Sequence, residues 1–447
     1  MTDKTNSISA RLQRILHKNA QRASTIHADF LHSQQSALEQ TAALIELQLL
    51  AAQGAKTAGT KTPAHAPQAA FDKDHLIEFA SGSMARCFGA EFELYESRRH
   101  PRIPNGDLML MDRVIEISGR RLHFDQPASI VTEYDVPAGA WYYRDNAYQY
   151  MPFSVWMEIA MQPCGFLSAY LGSNLLDPEI DFFFRNLDGN GQILKNSDVR
   201  GKTITCQARL ISTVNSNNTI IQKFEFELSC RGERLFTGGS IFGFFTPQAM
   251  ASQVGLDAGK TVLPVYEKDG QAGLTGQWID LTSSQAYFTS PAKTPYYHLA
   301  AGHLNFLDRV FVADPASTQA KHGYIYAIKD NDPQAWFYPC HFHQDPVMPG
   351  SLGVEAMLQA MQVYAIQQDL GSSFMSPRFD LRINQPVIWK YRGQILPTHK
   401  QMKLEINITR VERKAEQVII EGDASLWADT VRIYEVKQLA VCVQEAA

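Results

Sequence analysis

The chain has 447 residues, of which 45% are hydrophobic and 19% are charged, and its net charge at pH 7 is −5. This length predicts two or three globular domains, and the negative charge argues against a nucleic-acid-binding protein, which normally presents a basic surface. The six cysteines are scattered without the paired spacing of a zinc site, as expected of reduced thiols. Nothing at the start of the chain resembles a secretion signal, so we expect a cytoplasmic location.

The first 72 residues differ in composition from the rest and predict a helical leader followed by a linker. Residues 7–53 are rich in Ala, Leu, Gln and Glu and contain neither Gly nor Pro, which favours one or two helices. Residues 54–69 are rich in Ala, Thr, Lys, Gly and Pro, as linkers are. A chain that begins in this way is expected to be a piece of something larger.

The rest of the chain contains an internal duplication. Three pairs of segments repeat at offsets of 196 to 198 residues: 105–114 with 301–310, 151–158 with 348–355, and 220–245 with 418–443. The duplication predicts a first domain over residues 73–248, an irregular connector over 249–272 and a second domain over 273–447.

Each copy contains an apolar helical pattern followed by strand-like sequence. The helical residues are apolar on nearly every side around Val155 and Leu352, so both helices should be buried. The later runs 223–228 and 403–408 alternate polar and apolar residues, as half-buried strands do. One long buried helix with a curved antiparallel sheet around it is an α+β architecture.

The second copy contains a histidine, a Pro-Gly turn and a carboxylate in close succession, at His341, Gly350 and Glu355. Histidine is the side chain most easily set as a general base near neutral pH. A turn directly before a helix leaves backbone N–H groups that can stabilise negative charge on a carbonyl oxygen. A carboxylate inside an apolar helix is desolvated, so its pKa rises and it can act as an acid. The three groups suit dehydration of a β-hydroxyacyl thioester.

Each of these residues also has a purely structural interpretation. A histidine beside a proline-rich turn is often a hydrogen-bond partner, and His343 is a rival base. Glu355 and Glu158 would also fit buried partners of an arginine, and Asp345 before a proline would fit a turn. The combination of groups favours catalysis over the separate structural roles.

The stretch CHFHQDPVMPGSLG at 340–353 resembles the signature of the bacterial β-hydroxydecanoyl-[acyl carrier protein] dehydratase/isomerase, a hot-dog fold enzyme. The segment RGQILP at 392–397 is similar to that family too. The two copies together, with MPFSVWMEIAMQPCG at 151–165, resemble the paired dehydratase domains of a polyunsaturated fatty acid synthase. This resemblance implies two tandem hot-dog domains that pair as a pseudo-dimeric double hot dog.

The resemblance also implies roles for single residues. These are the catalytic histidine at His341, the acid at Glu355, the backbone donor to the thioester carbonyl at Gly350, and a helix glutamine near the site at Gln359. The isomerising enzymes have Asp where this chain has Glu355, so isomerisation is left open. In the first copy, Arg144 stands at the histidine position and Phe153 at the glycine position, which predicts an inactive site.

Hot-dog dehydratases act as dimers that combine the histidine of one hot dog with the acid of the other. Applied to this chain, that pairing predicts a working site made of His341 and Gly350 with Glu158. The second site would then contain Arg144 in a salt bridge with Glu355.

The substrate implied by the resemblance is carried on the phosphopantetheine of an acyl carrier protein, and neither a cofactor nor a metal is required. The expected partners are carrier and other domains of the same synthase, with no nucleic acid or membrane, and a homodimer is left open. Arg98, Arg99 and Arg102 are a candidate docking patch for an acidic carrier protein, the alternative being a solvated loop. Two rival functions are a hot-dog thioesterase, whose helix carboxylate would activate water without His341, and a non-catalytic scaffold for acyl chains or partner domains.

Overall fold

The computed structural model of the protein describes residues 69–216, 218–268, 273–289, 296–318 and 322–446. The predicted leader helices over residues 7–53 lie outside this part of the chain. The described elements divide into a first half and a second half, joined by a connector, and both halves belong to one compact unit, Pro67–Ala447.

The described residues of the first half form four α-helices and six strands, besides three short 3-10 helices. In chain order they are α1 (Lys73–Ser81), α2 (Met84–Phe88), β1 (Arg113–Ser118), β2 (Ala128–Asp135), α3 (Trp141–Arg144), α4 (Phe153–Tyr170), β3 (Phe183–Ile193), β4 (Thr203–Ser216), β5 (Thr219–Cys230) and β6 (Glu233–Phe245). The connector, predicted to be irregular, includes two short helices, α5 (Pro247–Ala251) and α6 (Val265–Lys268).

The second half repeats the order of strands, long helix and strands. Its elements are β7 (Gly276–Asp280), β8 (Arg309–Ala313), β9 (Tyr324–Asp330), α7 (Gly350–Gln367), β10 (Pro377–Leu381), β11 (Val387–Tyr391), β12 (Gln401–Arg413), β13 (Gln417–Ala428) and β14 (Val431–Glu445).

The described strands form one antiparallel sheet whose order is nearly the same from either end. The order is β1-β2-β4-β5-β6-β3-β11-β14-β13-β12-β9-β8-β7, with β10 beside β14. Each strand of the first half has its counterpart at the mirrored position in the second, and β7 is an additional edge strand. The duplication predicted from the sequence is therefore a pseudo-twofold repeat of the fold.

The two halves join where β3 pairs with β11. Asn190 lies opposite Ile388, and these numbers differ by 198, an offset of the sequence repeat, so the pseudo-twofold axis passes through this pair. Gly189 permits the close packing here, because a Cβ on it would lie 2.4 Å from the Trp389 ring. Arg392 and Asp188 add an ion pair at 3.0 Å across the junction.

The two long helices, α4 and α7, form the centre of the molecule. In each of them, 15 of 18 residues are buried, which confirms the predicted burial. Helix α4 packs against β2, β4 and β5, helix α7 packs against β14 and its neighbours, and the two helices contact each other. The apolar core thus surrounds both helices, and any polar side chain on their facing sides is removed from water.

The predicted half-buried strands are also confirmed, since β5 and β12 alternate buried with partly exposed residues along most of their length. The architecture is the predicted double hot dog of the α+β class. Among the described helices, none is long and apolar enough to cross a membrane. The exact domain boundaries stay a prediction.

Candidate functional site

His341 lies in the loop that leads into α7, and its ring is oriented by one hydrogen bond. Its Nδ1 atom is 3.1 Å from the carbonyl oxygen of Val347. A carbonyl can only accept, so Nδ1 carries the proton and the lone pair of Nε2 is left for another partner. Burial lowers the pKa of His341 to about 4, so the ring is neutral near pH 7 and can take up a proton.

Contacts from both halves hold this loop in place. Within the second half, the N–H of Met348 donates to the carbonyl of Ile395 at 2.9 Å. From the first half, the Arg185 guanidinium donates to both oxygens of Asp345 at 2.7 Å, and both side chains are nearly buried. Asp345 is therefore an ion-pair partner, as well as the turn residue suggested by the proline after it.

Two residues, Gly350 and Ser351, begin helix α7. The first bond of the helix runs from the N–H of Leu352 to the carbonyl of Pro349 at 3.1 Å, so the N–H groups of residues 350 and 351 precede the helical ladder. Such groups, at the positive end of the helix dipole, are suited to a developing negative charge. Position 350 must be glycine in this packing, because a Cβ there would lie 2.6 Å from Cε2 of Tyr391.

The carboxylate beside this helix end is Glu158, which belongs to α4 of the first half. The Ser351 hydroxyl donates to Glu158 Oε1 at 2.6 Å, and the Gln162 amide donates to Oε2 at 3.4 Å. Gln162 is itself fixed by the backbone of Leu108 and Leu110 at 2.8 and 3.0 Å. Burial raises the pKa of Glu158, and the two side-chain hydrogen bonds oppose that rise.

The same contact occurs at the start of α4 with the halves exchanged. The Ser154 hydroxyl donates to Glu355 Oε2 at 2.9 Å, and the Ser154 backbone N–H also bonds this carboxylate. Burial raises the pKa of Glu355 to about 7. Because each serine contacts the carboxylate of the other helix, α4 and α7 run antiparallel with their N-terminal ends beside the opposite acid.

We call the surroundings of His341, Gly350, Ser351 and Glu158 the α7 site, and those of Phe153, Ser154 and Glu355 the α4 site. In the α7 site, the acid of the first half contacts the helix end of the second half, and His341 lies in the loop before that helix end. Cross-half pairing requires the contact between Ser351 and Glu158, while the pairing of His341 with Glu158 and the catalytic roles stay predictions.

The predicted salt bridge between Arg144 and Glu355 is wrong. Arg144 lies at the end of α3 with 66% of its side chain exposed, and it pairs with Asp145 at 2.9 Å. Glu355 is fully buried and takes its hydrogen bonds from Ser154. Moving the Arg144 guanidinium to Glu355 would remove it from water, and the neighbouring Asp145 satisfies its charge without that cost.

Equivalent hydrogen bonds also show that Arg144 is not the counterpart of His341. The indoles of Trp141 and Trp336 donate to the carbonyls of Asp107 and His303 at 3.0 and 3.1 Å. Likewise, the carbonyls of Asp145 and Cys340 accept from backbone N–H groups of the opposite half at 2.8 and 2.9 Å. Trp141 and Trp336 are 195 residues apart, and so are Asp145 and Cys340. The offset between the two copies in this region is therefore 195 residues, whereas it is 197 in the helices.

At the offset of 195, the counterpart of His341 is Asn146. The Asn146 amide donates to the carbonyl of Tyr150 at 2.6 Å, and that carbonyl lies three residues before α4, as Val347 lies three residues before α7. The loop into α4 is thus two residues shorter than the loop into α7. This difference is missed when the offset of 197 is applied to the loop as well as to the helix. An asparagine amide cannot act as a base, so the α4 site lacks that group.

Phe153 is at the position of Gly350, as predicted, and its buried ring packs against Phe236 with centroids 5.8 Å apart. Gln359 is the counterpart of Gln162, and its amide is bonded to the backbone of Leu304 and Phe306. These bonds fix Gln359 in the helix, and its role in binding substrate stays a prediction. We did not predict the contact of Gln162 with Glu158. The spacing Glu-x-x-x-Gln, which Glu158 and Gln162 share with Glu355 and Gln359, could have revealed it.

The predicted basic docking patch is also wrong, because its three arginines are bound within the fold. Arg98 pairs with Asp181 at 2.8 Å, and Arg99 donates to the carbonyls of Asp181 and Phe182 at 2.6 and 2.7 Å. Arg102 is buried and donates to the carbonyls of Phe79 and Gly82 at 3.1 Å. They are neither a docking surface nor a solvated loop.

Comparison with known proteins finds a family model, a relative and solved structures that are similar to this chain. Residues 299–437 match the family described as the FabA-like domain. Over 428 residues the chain is 31% identical to a subunit of the polyunsaturated fatty acid synthase of Thraustochytrium sp., in an alignment that covers 87% of this chain and 28% of that protein. The chain thus spans less than a third of the length of this relative.

Two solved structures are similar to this chain at low sequence identity. One is described as an oleoyl thioesterase from Lactobacillus plantarum, with a TM-score of 0.40, 13% identity and coverage of 71% of this chain and 96% of that chain. The other is a dehydratase domain from the CurJ module of the curacin polyketide synthase, with a TM-score of 0.39, 10% identity and coverage of 76% and 97%. Residues 299–437 are thus similar to the FabA-like domain, and the chain is similar over most of its length to part of a polyunsaturated fatty acid synthase subunit.

Proposed function

We propose that this chain dehydrates β-hydroxyacyl thioesters at the α7 site, with His341 and Gly350 from the second half and Glu158 from the first. The observation that carries the proposal is the hydrogen bond of 2.6 Å from Ser351 to Glu158, which fixes an acid of one half at the helix end of the other. The neutral, oriented imidazole of His341 precedes that same helix end.

In the proposed mechanism, Nε2 of His341 removes the proton from the α carbon of the substrate. Negative charge develops on the thioester oxygen, where the N–H groups at the start of α7 can stabilise it. Glu158, whose pKa is raised by burial, donates its proton to the β-hydroxyl, which leaves as water while the double bond forms. His341 ends protonated and Glu158 ionised, so one proton must return from His341 to Glu158 before the next turnover.

In this proposal the α4 site does not convert substrate. Asn146 cannot remove a proton, and the Phe153 ring fills the position of the glycine at the start of the helix. Glu355 would then be kept as the buried partner of Ser154 and not as an acid.

The substrate in this proposal is a β-hydroxyacyl group on the phosphopantetheine of an acyl carrier protein, converted to a trans-2-enoyl thioester in polyunsaturated fatty acid synthesis. Homology to such a synthase and the FabA-like domain support that setting. The other domains of such a synthase would be the partners, the location would be cytoplasmic, and no cofactor would be needed. The product of the assay below will show whether the double bond is also isomerised.

A thioesterase is the second candidate, because a buried carboxylate such as Glu158 could activate water. The two activities leave different products, so one assay separates them. Purified chain is given a β-hydroxyacyl pantetheine thioester, and the enoyl thioester, the free acid and the free thiol are each quantified. We expect enoyl thioester without free acid, and a His341→Ala variant without turnover. Free acid and thiol would indicate a thioesterase, and no product from the wild type would support a scaffold.

A further inference from the structure

Tyr391 is the last residue of β11, and the phenol end of its ring lies against Gly350. Its Cε2 and Cζ atoms would be 2.6 and 3.0 Å from a Cβ on that glycine. The ring is buried, with the Tyr434 ring behind it at a centroid distance of 4.2 Å. The aromatic packing thus sets the hydroxyl group beside the start of α7.

The hydroxyl of Tyr391 has no hydrogen-bond partner among the described residues. A buried hydroxyl without a partner lowers stability, so such groups are rare in native proteins and require an explanation. A bound ligand that supplies the partner is one explanation, and this hydroxyl lies at the helix end where the proposed substrate would bind.

The group would act as a donor, because the phenol keeps its proton. Burial raises the pKa of Tyr391 well above its usual value, and electrostatic interactions with Tyr434 and Glu158 act in the same direction. A protonated phenol can donate one hydrogen bond to an oxygen atom of a ligand.

The α4 site has no tyrosine at the equivalent position. The register of β3 on β11 places Ile193 at the position equivalent to Tyr391, with the offset of 198 that relates Asn190 to Ile388. Phe153 replaces the glycine on which the phenol lies. Of these two equivalent positions, only the one at the site with the histidine has a hydroxyl.

We propose that the Tyr391 hydroxyl donates a hydrogen bond to the thioester carbonyl oxygen of the substrate, beside the N–H groups of residues 350 and 351. This inference rests on the proposed function and makes Tyr391 a substrate-contacting residue of the α7 site. The carbonyl is the oxygen that those N–H groups would bind, and the phenol end of the ring lies against the first of these residues.

The test replaces Tyr391 by phenylalanine, which keeps the ring and removes only the hydroxyl. Tyr148→Phe is the control, because Tyr148 is also a buried tyrosine and lies near the carboxylate of the other site, Glu355. We expect Tyr391→Phe to lower kcat/KM for the β-hydroxyacyl thioester by about 10- to 100-fold. The melting temperature should be unchanged or higher, since the removed group was unpaired. Tyr148→Phe should keep full activity.

Binding identifies the oxygen atom that is contacted. In the His341→Asn background, which we expect to bind without turnover, the affinity for a β-hydroxyacyl pantetheine and for the corresponding enoyl pantetheine is measured with and without Tyr391→Phe. We expect both affinities to fall by the same factor, because both ligands contain the carbonyl. A fall for the β-hydroxyacyl ligand alone would overturn the carbonyl assignment, and so would unchanged affinity for both.

The wild-type rate separates this inference from the function on which it rests. If the wild type forms no enoyl thioester, the proposed function fails. If the wild type is active and Tyr391→Phe is equally active, only the role of Tyr391 fails. If Tyr391→Phe loses activity together with a lower melting temperature, the hydroxyl is structural and the inference is overturned.

Discussion

The α7 and α4 sites are two versions of the same frame, and they differ in the groups that could react. Both have a serine at the second helix position bonded to the glutamate of the other helix. They differ at three positions: His341 against Asn146, Gly350 against Phe153, and Tyr391 against Ile193. Both sites have the same contact between serine and buried glutamate, although only the α7 site has a histidine. A buried carboxylate alone therefore does not identify a working site.

The largest effect is expected when the proposed catalytic base of the α7 site is replaced by the residue that the α4 site has at that position. We expect His341→Asn to lower kcat by roughly 100- to 10,000-fold, because the amide cannot remove the α proton. Initial rates of enoyl thioester formation provide the measurement. His343→Asn is the control, since His343 is the rival base two residues away, and it should keep wild-type activity. A fully active His341→Asn variant would contradict the assignment of the base.

The next effect concerns the serine that contacts the acid. We expect Ser351→Ala to lower kcat about 10-fold, because the variant loses the hydrogen bond of 2.6 Å that positions Glu158. Ser154→Ala removes the same atom from the α4 site and should leave kcat within about twofold of wild type. Equal losses of activity in both variants would mean that the contact is only structural.

The pH dependence of kcat/KM should be bell-shaped. The base must be neutral, so activity should rise as the pH passes the His341 pKa of about 4. The acid must be protonated, so activity should fall as the pH passes the raised pKa of Glu158. The Ser351 hydroxyl lowers that pKa, and Ser351→Ala should move the alkaline limb to higher pH, whereas Ser154→Ala should not. A profile that stays fixed in Ser351→Ala would argue against Glu158 as the acid.

The smallest effect on turnover, and a clear one on stability, is expected at Glu355. Its folded-state pKa of about 7 lies above the ordinary value of 4.5, so the folded state binds the proton more tightly and stability falls as the pH rises between those values. Glu355→Gln removes this penalty. We expect it to raise the free energy of unfolding by about 1–3 kcal/mol at pH 8 relative to wild type, with little gain near pH 4.5. Denaturant unfolding at both pH values measures this difference, and an equal gain at both would contradict the shifted pKa.

The sequence was sufficient to predict the fold because its signals are periodic or repeated. The burial of α4 and α7 and the alternation in β5 and β12 follow from patterns within short windows. The pairing of the two copies was implied by the repeat together with the family resemblance. Contacts between distant residues leave no such local pattern. The bond from Ser351 to Glu158 spans 193 residues, and the Arg98, Arg99 and Arg102 side chains look like a surface cluster until their carbonyl partners are seen.

The prediction for Arg144 failed for a different reason. The copies agree at a constant offset in the helices, and that offset was extended through a loop that is two residues shorter in the first half. The change becomes visible only when the hydrogen bonds of Asn146 and Trp141 are compared with those of His341 and Trp336. Loops accept such deletions more readily than buried helices, because fewer packed contacts are lost.

The working acid is expected to belong to the half that lacks the histidine. The most direct test is the rate of enoyl thioester formation by Glu158→Gln and Glu355→Gln, measured on the same substrate and with each variant shown to be folded by its melting temperature. We predict that Glu158→Gln loses roughly 100- to 10,000-fold in kcat, while Glu355→Gln stays within a few-fold of wild type. Retained turnover in Glu158→Gln together with lost turnover in Glu355→Gln would contradict the cross-half site.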